Sequence, residues 1–497
     1  MNVSTLLKVS NSLLPLCGVV AQQHPHIILI MADQHRFDAL GCIGNQAIYT
    51  PNIDSLAFDG TLFINAYSST PSSTPARSGL LTGMSPWHHG MLGYGRISKK
   101  YKYEMPRMLR ELGYYTFGIG KMHWYPQHTL HGFHATLVDE SGRVESPDFI
   151  SDYRLWFQLQ MPGENPDKTG IGWNDLDGGI YCLPEHLHPT AWTGKTACEL
   201  IENYKDEQPL FLKVSFARPH SPYDPPQRFL DMYDKDIPAP YIGNWCRENA
   251  TLQEPNKETM KHPYGNYGEK YAKNVRRHYY ANITFVDEEI GKIIKTLKKR
   301  GMYNQSLIVY LSDHGDMLGD HYHWLKTYPY EGSSHIPFIV KWPSSFAILP
   351  GIKRHEVVEL RDVLPTFLDA AGGKVPLDID VLSIVRLMKD KKAQWRRFID
   401  LEHATCYTPE NYWCALTDGK IKYIWNFYNG KEQLFDLIND PNEKKEVSSV
   451  SSYKSVLHLM KQALIRHLQE RGSEFVKDDK IVIRRNRTLL YSPHYPK

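Results

Sequence analysis

Three short apolar runs along the chain pass directly into polar, chemically capable residues. They are Ile27–Ala32, Leu210–Phe216 and Leu307–Leu311. Short runs of this kind, bounded by turn residues and separated by helical patterns, are typical of buried parallel strands. A fourth run, "YYTFGIGKMHWY", ends in the same way at Lys121 and His123. The pattern predicts an α/β fold with a mostly parallel main sheet.

Two further patterns complete the predicted architecture. A helical pattern spans Val275–Arg300, and its inward positions read as core support: Val286, Ile290, Ile293 and Leu297. Near the end of the chain we expect antiparallel strands from about Trp413 to Leu437 and a closing helix near Ser452–Glu470. We therefore predict a large α/β domain over residues 22–400. A smaller α+β domain over residues 401–497 would pack against it and contribute to one side of a ligand-binding pocket.

Composition supports a globular protein with two domains. The chain has 497 residues, of which 41% are hydrophobic and 23% charged, and this is enough to bury a large core. The net charge of +3 is too small to indicate nucleic-acid binding. The basic tract Lys298–Arg300 ends the predicted helix, where positive charge complements the helix dipole. The 31 Tyr and 11 Trp suit either a carbohydrate-facing surface or an aromatic core.

The N-terminus predicts export. Residues 1–21 combine one Lys, a short apolar run and a small-residue end at Ala21, as a cleaved signal peptide does. No later run is apolar and long enough to span a bilayer. Cys17 falls in the signal, and the other six cysteines lack metal-ligand spacing. In a periplasmic or secreted protein they permit disulfides without requiring them.

The residues after two of the strands suggest a metal site. Asp33 and Gln34 follow the first strand, and Asp313 and His314 follow the third. Ligands of α/β sheets bind beyond the carboxyl ends of the strands. The three oxygen-bearing side chains favour Ca²⁺, or less strongly Mg²⁺, over Zn²⁺, with the imidazole as a further ligand or a supporting group.

The stretch "YSSTPSSTPARSGLLTGM", Tyr67–Met84, predicts a helix start beside this site. Locally, Pro75 suits the first helical position, Ser73 can cap just ahead of it, and Gly83 can end the helix. The four-residue spacing places Ser73 and Arg77 on one helix face, near the end that favours anions.

Cationic side chains would surround the metal. Arg77, Lys121 and Lys326 form a candidate cradle for an anion with several oxygens, such as sulfate or phosphate. His123 and His220 are the available proton-transfer groups.

Taken together, these segments resemble the formylglycine-dependent sulfatase family of the alkaline-phosphatase-like superfamily. The maturation signature of that family stands here as "STPARSGLLTG", beginning at Ser73. The other segments occur in the family's order: Asp33-Gln34, Lys121-Met122-His123, Pro219-His220, Asp313-His314, Lys326 and a C-terminal "LFDLINDPNE". The resemblance covers nearly the whole mature chain and implies a large mixed, mostly parallel sheet between helices.

The resemblance implies that Ser73 is oxidised to formylglycine (3-oxoalanine) by an anaerobic-type maturating enzyme, as in secreted or periplasmic bacterial members. It also implies a Ca²⁺ held by residue 73 together with Asp33, Gln34, Asp313 and His314. A hydroxyl of the hydrated aldehyde would attack sulfur while His220 protonates the leaving oxygen. His123 would then help to expel sulfate, and Arg77, Lys121 and Lys326 would stabilise the sulfuryl oxygens.

Two positions depart from the pattern of many family members. Gln34 stands where the family often has a second Asp, so the expected site has one negative charge less. His314 replaces an Asn, and its imidazole can either ligate the metal or hydrogen-bond the substrate.

Other candidates surround the site. His88, in "PWHHG", can reach substrate or serve in capping and packing, and Glu402 and His403 are candidate ligands for sugar hydroxyls. The segment from Glu140 to Glu207 is rich in Gly, Pro, Asp and aromatics, and we expect it to be an irregular wall of the pocket.

We therefore predict a sulfatase, with a sulfated carbohydrate such as a glycosaminoglycan or mucin-type glycan as its substrate. Aryl and choline sulfates remain open. The alternatives are a phosphate or phosphonate ester hydrolase of the same superfamily and a non-catalytic glycan-binding protein.

Overall fold

The large domain is built on one mixed β-sheet. The computed structural model describes residues 24–205, 208–233, 237–249, 251–254, 263–390 and 392–496. Within them the sheet contains eight strands in the order β4-β3-β5-β1-β6-β7-β2-β8. These strands are β1 (His26–Asp33), β2 (Thr61–Tyr67), β3 (Tyr115–Gly120), β4 (Ala135–Val138), β5 (Leu210–Pro219), β6 (Ser306–Leu311), β7 (Phe338–Lys341) and β8 (Ile352–Glu359).

Parallel pairing predominates in this sheet. The pairs β4–β3, β3–β5, β5–β1, β1–β6 and β2–β8 are all parallel. Strand β7 runs antiparallel to both of its neighbours, β6 and β2. The predicted strands are confirmed as β1, β5 and β6, and the fourth run forms β3. The prediction of a mixed, mostly parallel sheet is therefore confirmed.

Helices cover both faces of the sheet. The α-helices of the described residues, among them α12 beside the small sheet, are α1 (Pro51–Phe58), α2 (Ser73–Thr82), α3 (Pro86–His89), α4 (Met105–Glu111), α5 (Asp152–Gln160), α6 (Pro189–Asn203), α7 (Gln227–Leu230), α8 (Glu269–Lys299), α9 (Glu331–Ser334), α10 (Val363–Ala370), α11 (Ile384–Lys389) and α12 (Lys454–Leu468). Short 3-10 turns link several of them.

The alternation of side chains along β1 explains the two covered faces. Leu29 and Met31 pack with helices α2, α4, α10 and α11, whereas Ile28 and Ile30 pack with α1, α5, α6 and α8. Successive residues of a strand point to opposite faces, so a strand that is apolar throughout must be covered on both sides.

The helical predictions are partly corrected. The helix expected from Val275 begins six residues earlier, at Glu269, and the four inward residues predicted for it are all buried. The segment from Glu140, expected to be irregular, contains helices α5 and α6. Its Gly and Pro residues are concentrated between these helices, and α6 packs against α8 and β5 because its apolar stripe completes that face of the core.

A small antiparallel sheet forms the second domain. Its strands are β9 (Ile399–His403), β10 (Trp413–Thr417), β11 (Ile421–Asn426) and β12 (Glu432–Asp436), paired in the order β12-β11-β10-β9. Helix α12 packs on it, and β13 (Val476–Lys477) and β14 (Lys480–Ile481) form a hairpin. The expected strands and helix are confirmed. The predicted domain boundary at 400/401 falls within β9.

Other sequence predictions concern the N-terminus and the cysteines. The predicted signal peptide and Cys17 lie outside the described residues. Among the described residues no disulfide joins any of the six cysteines, which are Cys42, Cys182, Cys198, Cys246, Cys406 and Cys414. Among the helices that the structure describes, none has the length and apolar character needed to cross a bilayer.

Candidate active site

The ends of three central strands and the start of α2 meet at one edge of the large sheet. Asp33 is the last residue of β1, and Asp313 and His314 follow β6. His220 follows β5, and its backbone N–H donates to the carbonyl of Asp33 at 3.1 Å. Parallel strands carry their carboxyl ends to the same edge, which is why these separate motifs converge.

Ser73 is the first residue of α2. Ser72 is the N-cap residue, so the expected first residue, Pro75, is wrong by two positions and the expected cap, Ser73, is wrong by one. Proline is tolerated throughout the first turn, and a side-chain cap is absent because the Ser72 hydroxyl is bound to His403 Nε2 at 2.8 Å. All ten residues of α2 are buried, and the helix ends at Gly83, with φ +67°, as predicted.

Arg77 joins the two aspartates. Its Nη2 lies 2.8 Å from Asp33 Oδ2, and its Nε lies 2.8 Å from Asp313 Oδ2. Its Nη1 donates to the Lys121 carbonyl and to Ser215 Oγ. The Lys121 ammonium also pairs with Asp33 Oδ2, at 2.8 Å. Arg77 therefore fixes the carboxylates relative to each other.

His314 faces Ser73. Its Nε2 lies 3.2 Å from Ser73 Oγ, and its Nδ1 lies 2.9 Å from the Gly315 carbonyl. Since a carbonyl only accepts, Nδ1 carries the hydrogen and Nε2 presents a lone pair to the site. Burial lowers the pKa of His314, which favours this neutral form.

The donor set fits a divalent cation. One potential ligand atom from each of Asp33, Asp313 and His314 lies within 4.8 Å of the other two. Asp33 Oδ1 is buried and has no hydrogen-bond partner among the described residues. Burial alone would raise the pKa of Asp33, but Lys121 and Arg77 outweigh it and hold the pKa well below its usual range. An ionised, unpartnered oxygen beside a second carboxylate is suited to a hard cation.

Gln34 is held in a left-handed conformation, with φ +71°. Its Oε1 accepts a hydrogen bond from Lys326 Nζ at 2.9 Å, and its Nε2 donates to Asp316 Oδ2 at 2.5 Å. Sequence reasoning missed Asp316. Asp316 stands three residues after Asp313 in "SDHGDMLGDH", and this closeness to a predicted ligand was the available signal. Nothing in the sequence shows that its side chain contacts Gln34.

His220 and Lys326 form a close pair. His220 Nε2 lies 2.6 Å from Lys326 Nζ, and His220 Nδ1 faces the Ser221 carbonyl at 2.9 Å. Burial and the neighbouring Lys326 hold the pKa of His220 well below its usual range. Burial also lowers the pKa of Lys326, to about 8. His220 is therefore neutral, with its Nε2 accepting from Lys326.

The segment after Glu140 contributes two residues that contact the site. Asn174 Oδ1 accepts from Lys326 Nζ at 3.1 Å. Trp173 stacks on His220 with ring centroids 6.3 Å apart. Sequence reasoning placed this segment at the pocket but singled out neither residue, because neither belongs to a motif.

His123 is positioned through its backbone. Its N–H donates to Glu140 Oε1 at 2.8 Å, and its φ is +61°. Its Nδ1 is buried without a partner among the described residues, and its Nε2 lies 3.5 Å from the Tyr94 hydroxyl. Burial, Arg143 and Lys121 hold the pKa of His123 well below its usual range. The imidazole is neutral and available as a base.

The three candidate substrate residues contact other protein groups. Glu402 forms a bidentate pair with Arg471 at 2.6 and 2.7 Å. The buried imidazole of His403 lies between Ser72 Oγ and the Ala404 carbonyl. His88 lies between two carboxylates, 2.8 Å from Asp380 and 3.1 Å from Glu470. A substrate contact for these three residues stays a prediction.

The fold and this site define a sulfatase. Residues 25–373 match the family model described as Sulfatase, and residues 319–470 match that of the C-terminal part of N-sulphoglucosamine sulphohydrolase. The chain belongs to the sulfatase family, has its alkaline-phosphatase-like fold and is a sulfuric ester hydrolase.

A known relative supports this assignment, and solved structures share the fold. The chain is 36% identical over 478 residues to an arylsulfatase of Clostridium perfringens, with 92% of this chain and 97% of that protein covered. It superposes with a TM-score of 0.73 on the phosphonate monoester hydrolase of Agrobacterium radiobacter, at 22% identity over 90% of this chain and 96% of that one. A structure in complex with its substrate D-glucosamine-2-N,6-O-disulfate superposes with a TM-score of 0.72, at 23% identity over 90% and 98% of the two chains. The last two likenesses concern the fold.

Proposed function

We propose that this sulfatase hydrolyses a sulfate ester on a carbohydrate, using a formylglycine derived from Ser73 and a bound Ca²⁺. The observation that carries the proposal is the position of Ser73 at the start of a buried helix, facing His314 beside the Asp33–Arg77–Asp313 network. The substrate complex of a structural neighbour with a sulfated glucosamine supports the carbohydrate class. Exposed aromatic rings at Tyr94 and Tyr407 would suit the apolar faces of sugar rings.

Five residues would hold the cation: residue 73, Asp33, Gln34, Asp313 and His314. The unpartnered Asp33 Oδ1 and the inward lone pair of His314 Nε2 are the atoms most directly available. When bound, a divalent cation withdraws charge from oxygen and makes a hydroxyl at residue 73 more nucleophilic. Its charge would also make the site attractive to a sulfate ester.

The cations would then act on the sulfate group. The Lys121 ammonium can donate to a sulfuryl oxygen as negative charge develops there, and Lys326 would do so by exchanging one of its contacts with Gln34, Asn174 and His220. Arg77 already donates to Asp33 and Asp313, so its main task would be to fix the carboxylates. In this proposal the two lysines contact the substrate, and Arg77 holds the two carboxylates in position.

Two histidines would handle protons. His220 Nε2 shares the Lys326 ammonium proton across 2.6 Å, so this pair is placed to deliver a proton to the leaving oxygen. His123 is neutral, with its Nδ1 unpartnered, and would take the proton from residue 73 when sulfate departs. The two groups come from different strand ends, β5 and β3.

The burial of α2 bears on maturation. Ser73 is 1% exposed, and Pro75 and Arg77 are equally enclosed. An anaerobic-type maturating enzyme that reads these residues would have to act before the helix is enclosed by the fold. We also propose a periplasmic or secreted location in a bacterium, with cleavage after Ala21.

The decisive experiment is the peptide mass of the segment containing Ser73, from protein produced together with an anaerobic-type maturating enzyme. Loss of two hydrogens at Ser73, with release of sulfate from sulfated sugars, is the expected result. Ser73→Ala is the control and should lack both. Unmodified Ser73 in a protein that hydrolyses phosphate or phosphonate esters would overturn the proposal, as would glycan binding without hydrolysis by correctly modified protein.

A further inference from the structure

A second cavity lies between the two domains, outside the catalytic network. It has a volume of about 500 Å³ and is called here the Trp245 groove. Trp245, Tyr328 and Tyr330 line it from the large domain, and Asn411 and Gln433 line it from the small one. This volume falls within the range of about 300–1,000 Å³ that is usual for small-ligand sites.

Aromatic rings form the large-domain wall of the Trp245 groove. Trp245 and Tyr330 have ring centroids 4.8 Å apart, and His323 lies 4.4 Å from Tyr328 and 5.4 Å from Tyr330. The Trp245 indole is fixed by donation of its Nε1–H to the Glu443 carbonyl at 2.7 Å. Rings held in this way offer rigid apolar faces with polar edges.

The opposite wall contains an amide with an unused polar atom. Gln433 Oε1 accepts from the Tyr330 hydroxyl at 3.0 Å, whereas Gln433 Nε2 is buried without a partner among the described residues. The whole residue is only 7% exposed. If the amide were turned over, Oε1 would be left without a partner instead. A buried unpartnered amide carries a free-energy cost, and this cost is relieved when a ligand supplies the missing hydrogen bond.

The mouth of the groove is charged. Lys431 and Glu410 both line the cavity and are both exposed. The Lys431 ammonium and the Glu410 carboxylate at the rim can hydrogen-bond to the hydroxyls of a ligand. They can also form ion pairs with its charged substituents.

Two chain segments link the groove to the catalytic site. Lys326 lies in the site while Tyr328, two residues on, lies in the groove, and an extended chain covers this step in about 7 Å. Asn411 Nδ2 donates to Thr327 Oγ1 at 2.7 Å, and Trp413 Nε1 donates to the Thr327 carbonyl at 2.9 Å. The β9–β10 connection therefore holds the segment that both regions share.

We propose that the Trp245 groove binds a second pyranose unit of the glycan whose sulfated unit occupies the catalytic site. This inference rests on the proposed function and narrows it from sulfated carbohydrates in general to oligosaccharides. Rigid aromatic rings, tilted or edge-on to one another, opposite a buried amide are the chemistry that recognises a pyranose ring, which has apolar C–H faces and hydroxyl edges. An aryl sulfate has no second unit and gains nothing from the groove.

The test compares substrates that do and do not reach the groove. Matured enzyme is assayed with 4-nitrophenyl sulfate and with sulfated glycosaminoglycan fragments of one, two and three sugar units. Gln433→Leu removes the amide, and Glu432→Gln, one residue earlier on β12 and on the opposite face of the strand, is the matched control. Lys431→Ala combined with Glu410→Ala changes only exposed rim residues and serves if Gln433→Leu does not fold.

Three results are expected. The kcat/KM of the wild type should rise with fragment length. Gln433→Leu should raise KM for the longer fragments about three- to tenfold, the value of one hydrogen bond, with little change in kcat. The rim variant should raise KM for these fragments in the same way, and 4-nitrophenyl sulfate kinetics should stay within about twofold of the wild type in every variant.

Other outcomes separate this inference from the proposed function. Hydrolysis of sulfated single sugars without any preference for length would overturn the groove assignment alone. If Gln433→Leu lowered kcat/KM equally for aryl sulfate and for oligosaccharides, Gln433 would have only a structural role. This result would also overturn the groove assignment. Hydrolysis of 4-nitrophenyl sulfate but of no sulfated sugar would overturn the carbohydrate part of the proposed function itself.

Discussion

The side-chain amide of Gln34 donates to the carboxylate of Asp316 at 2.5 Å, and this contact, together with that of Lys326, fixes which way the amide points. The Lys326 ammonium only donates and it donates to Gln34 Oε1, so Oε1 faces the catalytic site and Nε2 faces Asp316. Asp316 also accepts from the Tyr223 hydroxyl at 2.6 Å and from the backbone N–H of Leu318 at 3.0 Å. A residue outside the predicted set thus orients a proposed metal ligand.

Replacing Asp316 by Asn should weaken Ca²⁺ binding about 10- to 100-fold, the usual effect of losing a partner that orients a ligand. The Asn amide can donate as well as accept, so Lys326 alone would then favour the present orientation of the Gln34 amide. Titration calorimetry with Ca²⁺ measures the change directly. Tyr223→Phe is the matched control, because it removes a hydrogen bond to Asp316 and leaves the carboxylate. Equal affinities in wild type and Asp316→Asn would contradict this role.

Glu140 should matter for catalysis through His123. Its Oε1 accepts from the backbone N–H groups of Met122 and His123, and so supports the left-handed conformation of His123. Glu140→Ala should lower kcat about 10- to 100-fold by misplacing the imidazole, with a smaller change in KM. Glu145→Ala is the control, since Glu145 pairs with the same Arg143 and has no contact with that backbone. Similar kcat losses in the two variants would point to Arg143 instead.

Removal of Ca²⁺ should lower the melting temperature. A cation that binds only the folded state stabilises it by about 2.7 kcal/mol when its concentration is about 100 times Kd. Differential scanning calorimetry with EDTA, Ca²⁺ or Mg²⁺ should show the largest increase with Ca²⁺. Asp33→Asn should abolish the increase, whereas Asp38→Asn, whose partner Arg36 lies outside the ligand set, should retain it. An increase that persists in Asp33→Asn would place the cation elsewhere.

Lys422 ties the small domain to the large one. Its buried ammonium lies 2.6 Å from Glu331 and 2.9 Å from Glu443, and it also donates to the Pro329 carbonyl. Lys422→Met should lower the free energy of unfolding by about 3–5 kcal/mol, because it leaves the buried Glu443 carboxylate without its cation and removes the ammonium partner of the partly buried Glu331. Urea denaturation measures this. Adding Glu443→Gln should restore part of the loss, and no restoration would argue that lost packing of the side chain is responsible.

His88 should make stability depend on pH. Its hydrogen bond to Asp380, aided by Glu470 and opposed by burial, raises the pKa of His88 above its ordinary value of 6.5. The stabilisation is therefore complete below pH 6.5 and is lost as pH rises through the higher, folded-state pKa. The difference in unfolding free energy between wild type and His88→Gln should shrink across this interval. A constant difference would mean that His88 contributes by packing alone.

Several features of the site follow directly from local sequence. Strands β1, β3, β5 and β6 are visible because a fully buried strand must be apolar along its whole length. The polar residues after them are visible because they interrupt that run. The rule that parallel strands carry ligands at their carboxyl ends was enough to bring Asp33, His220 and Asp313 together in advance.

In contrast, the partner with which each polar side chain pairs depends on contacts between segments that are distant along the chain. The structure turns Arg77 toward Asp33 and Asp313 and pairs Glu402 with Arg471, although the sequence suggested an anion and a sugar hydroxyl as their partners. The same holds for the first turn of α2, where the Ser72 hydroxyl is bound by His403 from the other domain.

The motifs and their order were enough to predict the class of protein through the family resemblance, and local periodicity was enough to predict the central strands. Three features became visible only in three dimensions: Asp316 orients Gln34, Glu140 holds His123, and the aromatic groove between the domains contains a Gln433 Nε2 that has no partner among the described residues. Each of these depends on the distance and direction between side chains far apart along the chain. Packing sets both quantities, and no local pattern encodes them.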